Sequence, residues 1–396
     1  MIKYLSKLNL RKYSGKICLL RIDLNIEPGQ EKSTIRIDAV LPTIRSLLRH
    51  KTKVVLLSHR GRPVLKPEKS LKGLKSDWTF NKTNRDLSLK LFARIFRQKL
   101  GLPLHFISYE HSWLTHPKEF IKSQKAKVFL LENLRFYRGE ETNDSRFAQF
   151  LSKWGDFYVN DAFAVSHRKN ASVAVITRYM PSYAGLLLEQ EIKNLNRAMK
   201  GYHHPFTIII GGAKIADKLD VLKYFWRKAD CFLLGGGPAN TFFAAQGLPT
   251  GDSTVDLKAV STIKKFLEFS KIMLPADVKI FSHKRKHQIL DIGANTIREW
   301  STVIGRSKTI IWSGPVGRFK QKGFEKGTRA IWQGIAVAAR RGATVIVGGG
   351  ETTSSLSLLR GYKFVLPKNV FVSTGGGAML EYLSGKNMPG IEALTK

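Results

Sequence analysis

Cysteine is nearly absent: two in 396 residues leave no room for a disulfide framework or a thiolate metal cluster. Cys18 and Cys231 each stand alone in an apolar run, which suits core thiols in a reducing compartment. Long apolar stretches are missing too. None approaches the roughly 18 residues a membrane helix needs, and the opening MIKYLSKLNLRKYSGK has no signal-peptide h-region. The expectation is a cytoplasmic protein with no membrane partner. Low-complexity tracts are absent as well. Acidic residues are scarce, 30 against 66 Lys and Arg, for a net charge of +36. Glycine is thin in the first half, where only eight of 33 precede residue 201.

The excess of cations invites a nucleic-acid reading, because Lys and Arg release counterions from phosphate backbones. A dedicated binder gathers its charge in a tail or stripe. Here the cations run along the whole chain, and the densest cluster is the short His283-Lys284-Arg285-Lys286-His287. No zinc-finger spacing or RNP-type aromatic motif accompanies them. Incidental polyanion binding is the expectation.

Short Val/Ile/Leu-rich runs recur at 17–24, 53–58, 127–131, 157–160, 206–210, 231–235, 309–313, 344–347 and 370–373. Longer stretches of helical period separate them. Continuous apolar strands alternating with helices predict parallel sheets covered on both faces, and at this length two doubly wound α/β units. The polar, turn-rich stretch 64–85 reads as a surface loop or insertion.

Ligands of open α/β sheets bind beyond the carboxyl ends of the strands. In the first half those ends carry Arg21, Asp23 and Asn25; His59, Arg60 and Arg62; Arg135; and Asn160 and Asp161 leading to Arg168. Guanidinium forks suit a small acid bearing carboxylate and phosphate. In the second half the ends carry glycines: 211–212, 235–237, 314, 348–350 and 375–377. Glycine turns at helix starts suit a nucleotide, whose phosphates need close backbone approach. The stretch GGAKIADK adds Lys214 and Lys218 on one helix face, although no Walker motif is present. No G-x-G-x-x-G fingerprint occurs early in the chain, which disfavours a dehydrogenase. An acid on one lobe and a nucleotide on the other imply transfer between them, with lobes that close.

Nearly end to end, the chain resembles phosphoglycerate kinase. The likeness runs through RIDLN (21–25), RIDAVLPTI (36–44), LLSHRGRP (56–63), LLENLRF (130–136), YVNDAF…SHR (158–168), GGAKIADK (211–218) and GGGPANTF (235–242). It continues through LPADV (274–278), LDIGANTI (290–297), WSGPVGRF (312–319), FEKGT (324–328), GGGETT (348–353) and STGGGAMLEYLSGKNMPGIEAL (373–394). The resemblance implies the reaction 1,3-bisphosphoglycerate + ADP ⇌ 3-phosphoglycerate + ATP, with Mg2+ entering on the nucleotide. It implies that Asp23, Asn25, Arg36, His59, Arg62, Arg135 and Arg168 hold the glycerate substrate. It assigns Arg36, Lys214, Gly350 and Gly376 to the transferring phosphoryl group. The nucleotide would meet Gly211, Gly212, Lys214, Lys218, Gly235, Gly236, Gly237, Ser313, Pro315, Gly317, Lys320, Gly348, Gly349, Gly350, Glu351 and Thr352, with Glu351 as the magnesium-side carboxylate.

The same likeness implies a glycerate domain of residues 1–182 with a return at 380–396, an interdomain helix at 183–200, a nucleotide domain at 201–379 and a hinge near Thr374-Gly375. A monomer is typical of the family. Departures are local. Glu351 stands where the family carries Asp, Ser313 where it carries Asn, and Lys320 where a Glu contacts ribose. Ala164 and Asn170 replace the commoner Gly and His, and Glu27 interrupts the usual start. These changes leave room for an alternative, a phosphoglycerate-kinase-like protein of reduced activity serving as a polyanion-binding or scaffold protein.

Overall fold

The computed structural model describes residues 1–31, 34–63, 82–108, 115–266, 270–359 and 365–395. The chain divides into two compact units, Met1–Glu191 with Asn387–Lys396, and Ile192–Lys386.

In the first unit, six parallel strands are β1 (Ile17–Arg21), β2 (Lys53–Leu57), β3 (Leu104–Ile107), β4 (Val128–Leu131), β5 (Phe157–Asn160) and β6 (Ser182–Ala184). Their order is β3-β4-β2-β1-β5-β6. All five residues of β1 are buried, as a strand covered on both faces requires. Helix Ile35–Arg49 buries Ile37, Val40, Leu41, Ile44 and Leu47 along one stripe. That stripe packs with Leu20, Leu56, Leu130, Phe92 and Phe96 in one core. The chain winds outward from β1 to β2 on one side and later returns to β5 on the other. A crevice therefore opens where β1 and β5 end.

The second unit has β7 (Phe206–Ile210), β8 (Cys231–Leu234), β9 (Ile272–Met273), β12 (Thr309–Ser313), β13 (Thr344–Gly348) and β14 (Val370–Val372), with a ribbon of β10 (Val278–His283) and β11 (Lys286–Ile292). The sheet is parallel in the order β14-β13-β12-β7-β8-β9. Its winding reverses between β7 and β12, which places Gly211 and Gly314 side by side at the switch point. Trp312, Trp332, Trp300 and Ile335 fill the core behind it.

The nine expected strands are present, although the 17–24 run is strand only to Arg21. Five strands were not expected: the short β3, β6 and β9 and the longer ribbon pair. The expected helix at 183–200 begins later, at Leu186, because Tyr183 and Ala184 pair with Val159 and Asn160 in β6. Residues 380–386, expected with the first unit, lie in the second. There Tyr382 donates from its hydroxyl to Asn196 Oδ1 at 3.0 Å and Gly385 rests on the Tyr224 ring. Of the expected loop 64–85, residues 64–81 lie outside the described residues, and Lys82–Leu87 form a 3-10 helix.

Candidate functional site

In the first unit the strand ends gather guanidinium groups around one imidazole. His59 follows β2 and is 2% exposed. Burial, and then the charges of Arg21, Arg135, Arg168 and Arg36, hold its pKa well below the usual histidine value. Arg36, from the first turn of helix Ile35–Arg49, is half-buried and paired with Asp23. Asp23 also accepts from the Asn25 amide at 2.9 Å, and Asn25 Oδ1 accepts from the Gly61 amide at 2.9 Å. Asp23 and Asn25 thus tie the end of β1 to Arg36 and to the loop that carries His59 and Arg62. Arg135 is buried, donating to the Gly61 carbonyl and pairing with Glu141 at 3.1 Å. Arg168 Nε lies 3.1 Å from His167 Nε2. Arg62 is exposed. Asn160 and Asp161 serve as scaffold: Asn160 donates to the Gly390 carbonyl, while Asp161 Oδ1 accepts from the Leu187 and Leu188 amides.

The resemblance gave Arg21 no role, although Arg21 is among the strand-end residues of the first half. It is fully buried, reaches His59 Nδ1 at 2.9 Å and Ser172 Oγ at 2.8 Å, and lies 3.9 Å from Glu140. Its place beside Asp23 at the end of β1 was the available signal. Arg60 turns elsewhere, pairing with Glu31 and covering the Phe92 ring.

In the second unit two cavities adjoin at the switch point. One, of about 360 Å³, is walled by Gly212, Ala213, Gly236, Gly237, Asn240, Pro315, Gly317, Phe319, Lys320 and Glu351, with Gln288–Leu290 of β11. The other, of about 800 Å³, is walled by Gly212, Ala213, Lys214, Asp217, Lys218, Asp220, Ser313, Gly314, Pro315, Gly349, Gly350, Glu351, Thr352, Gly376, Gly377, Glu381 and Lys386. Gly212, Ala213, Pro315 and Glu351 belong to both. The first is apolar-backed and suits a flat base; the second sets glycine-turn amides and the ammonium groups of Lys214, Lys218 and Lys386 beside the carboxylates of Asp217, Asp220, Glu351 and Glu381, a mixture that suits phosphates accompanied by a cation.

Glycine is required at the seam for packing. A Cβ on Gly211 would collide with the Pro315 and Gly314 carbonyls, and Gly314 sits at φ +91° against Gly211. Gly211, Gly235 and Gly348 stand behind the cavity walls, where a Cβ would strike Pro315, Val316 and Met379 respectively. Of the expected nucleotide-binding glycines, these three shape the walls without lining them. Gly350, Gly376 and Gly377 have open space where a Cβ would stand, on the cradle side.

Lys214 is exposed, and Lys218 is half-buried with its ammonium 3.2 Å from the Lys214 carbonyl. Burial lowers the Lys218 pKa, against the opposing pull of Asp217 and Glu351. Thr352 Oγ1 accepts from the Gly314 amide at 2.7 Å, joining the β12 and β13 turns. Ser313 is buried beside Gly349, whereas Lys320 is exposed with its ammonium 5.9 Å from the Phe319 ring. Asn240, Ser253, Thr254, Gln288 and Arg318 also line the base-sized cavity and were missed. Several are far from the glycine turns in sequence, so only the folded ribbon reveals them. Among the described residues no group of three or more His, Cys, Asp or Glu could hold a metal.

Residues 8–386 match the family model for phosphoglycerate kinase. The phosphoglycerate kinase of Chloroflexus aggregans is 38% identical, over 96% of this chain and 96% of its own. That of Orientia tsutsugamushi is also 38% identical, over 96% and 94%. Among solved structures, phosphoglycerate kinase from Coxiella burnetii superposes with a TM-score of 0.79 at 32% identity, covering 100% of this chain and 99% of its own. The enzyme from Pyrococcus horikoshii gives 0.83 at 30%, covering 99% and 98%. On sequence and fold together, this chain belongs to the phosphoglycerate kinase family.

Proposed function

We propose that this chain catalyses reversible phosphoryl transfer between 1,3-bisphosphoglycerate and ADP, giving 3-phosphoglycerate and ATP. The first unit is the glycerate-binding domain and the second the nucleotide-binding domain, acting as a cytoplasmic monomer. The observation that carries this reading is the pair of adjoining cavities sharing Glu351, one fit for a base and the other for its phosphates. The guanidinium cluster around His59 supplies the complementary half, a seat for a small multiply charged acid.

The residues divide the work by chemistry. Arg62, Arg135 and Arg168, with His59 as a neutral donor, grip the phosphate that stays. Arg36, oriented by Asp23, neutralises the equatorial oxygens of the group in flight. Lys214 does the same from the nucleotide side, helped by the Gly350 and Gly376 amides, while Lys218 holds the nucleotide phosphates. Toward ATP synthesis a β-phosphate oxygen of ADP attacks the phosphorus, and the bond to the glycerate carboxylate breaks. No general base is needed, because the attacking oxygen is an anion in either direction.

A magnesium ion arriving with the nucleotide fits the residues present. Glu351 offers one carboxylate on the wall of the phosphate cradle, and Mg2+ is commonly held by one or two carboxylates plus substrate phosphates. When bound, the ion would offset phosphate charge.

The test couples ATP and 3-phosphoglycerate with magnesium to reduction of the acyl phosphate product. Turnover is the expected result, and its absence in well-folded protein removes the proposal. Lys214→Ala should lower kcat by about a hundredfold or more with little change in KM. Equal losses in both would deny it a transition-state role.

A further inference from the structure

His59 is a buried histidine with one ring nitrogen engaged and the other free. Nδ1 lies 2.9 Å from Arg21 Nη2, whereas Nε2 is buried with no hydrogen-bond partner among the described residues. A guanidinium only donates, so Nδ1 must be the acceptor and the ring proton must sit on Nε2. Arg21 has little freedom to do otherwise. Its Nη1 donates to the Ile22 carbonyl and its Nε to Ser172 Oγ at 2.8 Å. Ser172 in turn donates from its hydroxyl to Glu140 Oε1 at 2.6 Å and from its amide to Glu140 Oε2 at 2.9 Å. Glu140, Ser172 and Arg21 are all fully buried, so the chain from carboxylate to imidazole is shielded from water.

We infer that Arg21 is a positioning residue for the kinase reaction: it locks His59 in the Nε2–H tautomer, so that the site presents a neutral N–H donor to an oxygen of the bound acid. This inference rests on the reading of the first unit as the glycerate-binding domain. The chemistry explains why a histidine stands among so many guanidinium groups. A further cation would have to be buried beside four others, whereas a neutral N–H donor adds a directional bond without added repulsion. An imidazole left free would divide its proton between two nitrogens. In the wrong tautomer it would turn a lone pair toward an anion.

The experiment is nitrogen-15 NMR of the His59 ring in the ligand-free full chain, combined with kinetics of Arg21→Lys and Ser172→Ala. In the unsubstituted protein, Nε2 should carry the proton and Nδ1 should be pyridine-like at pH 7. Arg21→Lys should mix the two tautomers and raise KM for 3-phosphoglycerate about tenfold, with kcat changed far less. Ser172→Ala, which keeps Arg21 but loosens its seat, should move both readouts the same way by a smaller amount. This milder variant keeps the test open should Arg21→Lys fold poorly. A proton on Nδ1 or on both nitrogens at pH 7 overturns the inference, as does an unaltered tautomer and KM in a folded Arg21 or Ser172 variant. Calorimetric binding of 3-phosphoglycerate separates it from the catalytic reading. Binding that weakens in the variants while turnover is absent would sink the kinase activity alone; no binding at all would sink this inference with it.

Discussion

At the scale of single residues, the deciding position is Glu351. It sits on the walls of both cavities and within the electrostatic reach of Lys218, in the first turn of the helix Gly350–Ser354. Compared with the aspartate that the resemblance leads one to expect there, the glutamate keeps the charge and moves it outward by one methylene. Phosphoryl transfer is sensitive to such displacements, because its rate depends on alignment more than on covalent help. Glu351→Asp is therefore expected to raise kcat about threefold or more at saturating substrates, with the protein equally stable. An unchanged or lower kcat would show that the surrounding cradle is already fitted to the longer side chain. Ser313 and Lys320 differ from Glu351 in how they bear on the site: Ser313 is buried at the seam, while Lys320 extends from the rim of the base-sized cavity.

At the scale of elements, Asp161 ties the end of β5 to the start of helix Leu186–Lys200. Its Oδ1 accepts from the Leu187 and Leu188 amides at 2.8 and 3.0 Å. Burial pushes its pKa up to about 6, and bonds from Thr43 and these two amides only partly oppose that rise. A carboxyl whose folded pKa is raised contributes stability at low pH and loses it as pH rises from about 4 through about 6. Asp161→Asn keeps an acceptor for the two amides and removes the buried charge. The variant should gain on the parent protein by roughly 2 kcal/mol between pH 4 and pH 8, read from denaturant midpoints. A difference that stays flat with pH would show that Asp161 does not titrate in that window. The sequence made the central sheet strands legible, because fully buried parallel strands such as β4 read as unbroken apolar runs. It hid β6 and β9, which have only three and two residues and little pattern of their own. The ribbon of β10 and β11 was hidden for another reason: it is only partly buried, so charged and polar residues interrupt the continuous apolar runs that mark the sheet strands. The strand-end glycines and arginines were legible as a class. Which glycines line the cradle and which only let two turns touch depended on contacts such as Gly211 with Pro315, between residues about a hundred positions apart.

At the scale of the whole molecule, the net charge of +36 belongs to neither cavity. Its most concentrated exposed feature is the tip of the ribbon in the second unit, where Lys284, Arg285 and Lys286 are all exposed and Lys284 holds the turn at φ 52°. Lys284 and Arg285 form the turn between β10 and β11, so the tip presents its cations close together to a polyanion. Yet three cations neutralise few phosphates, and the remaining charge is distributed over the rest of the surface. Heparin or RNA should therefore bind without sequence preference, and about three contacts at the tip predict a loss of some tens-fold in affinity between 50 and 200 mM salt. Reversing Lys284, Arg285 and Lys286 to Glu should weaken that binding more than reversing the exposed Lys7, Lys12 and Lys16, although both triple variants change the net charge equally. Equal losses would mean that the field of the whole molecule governs the attraction and the ribbon has no special part in it. Tight binding that survives high salt and discriminates between sequences would require a base-reading surface, which three cations at a ribbon tip do not supply.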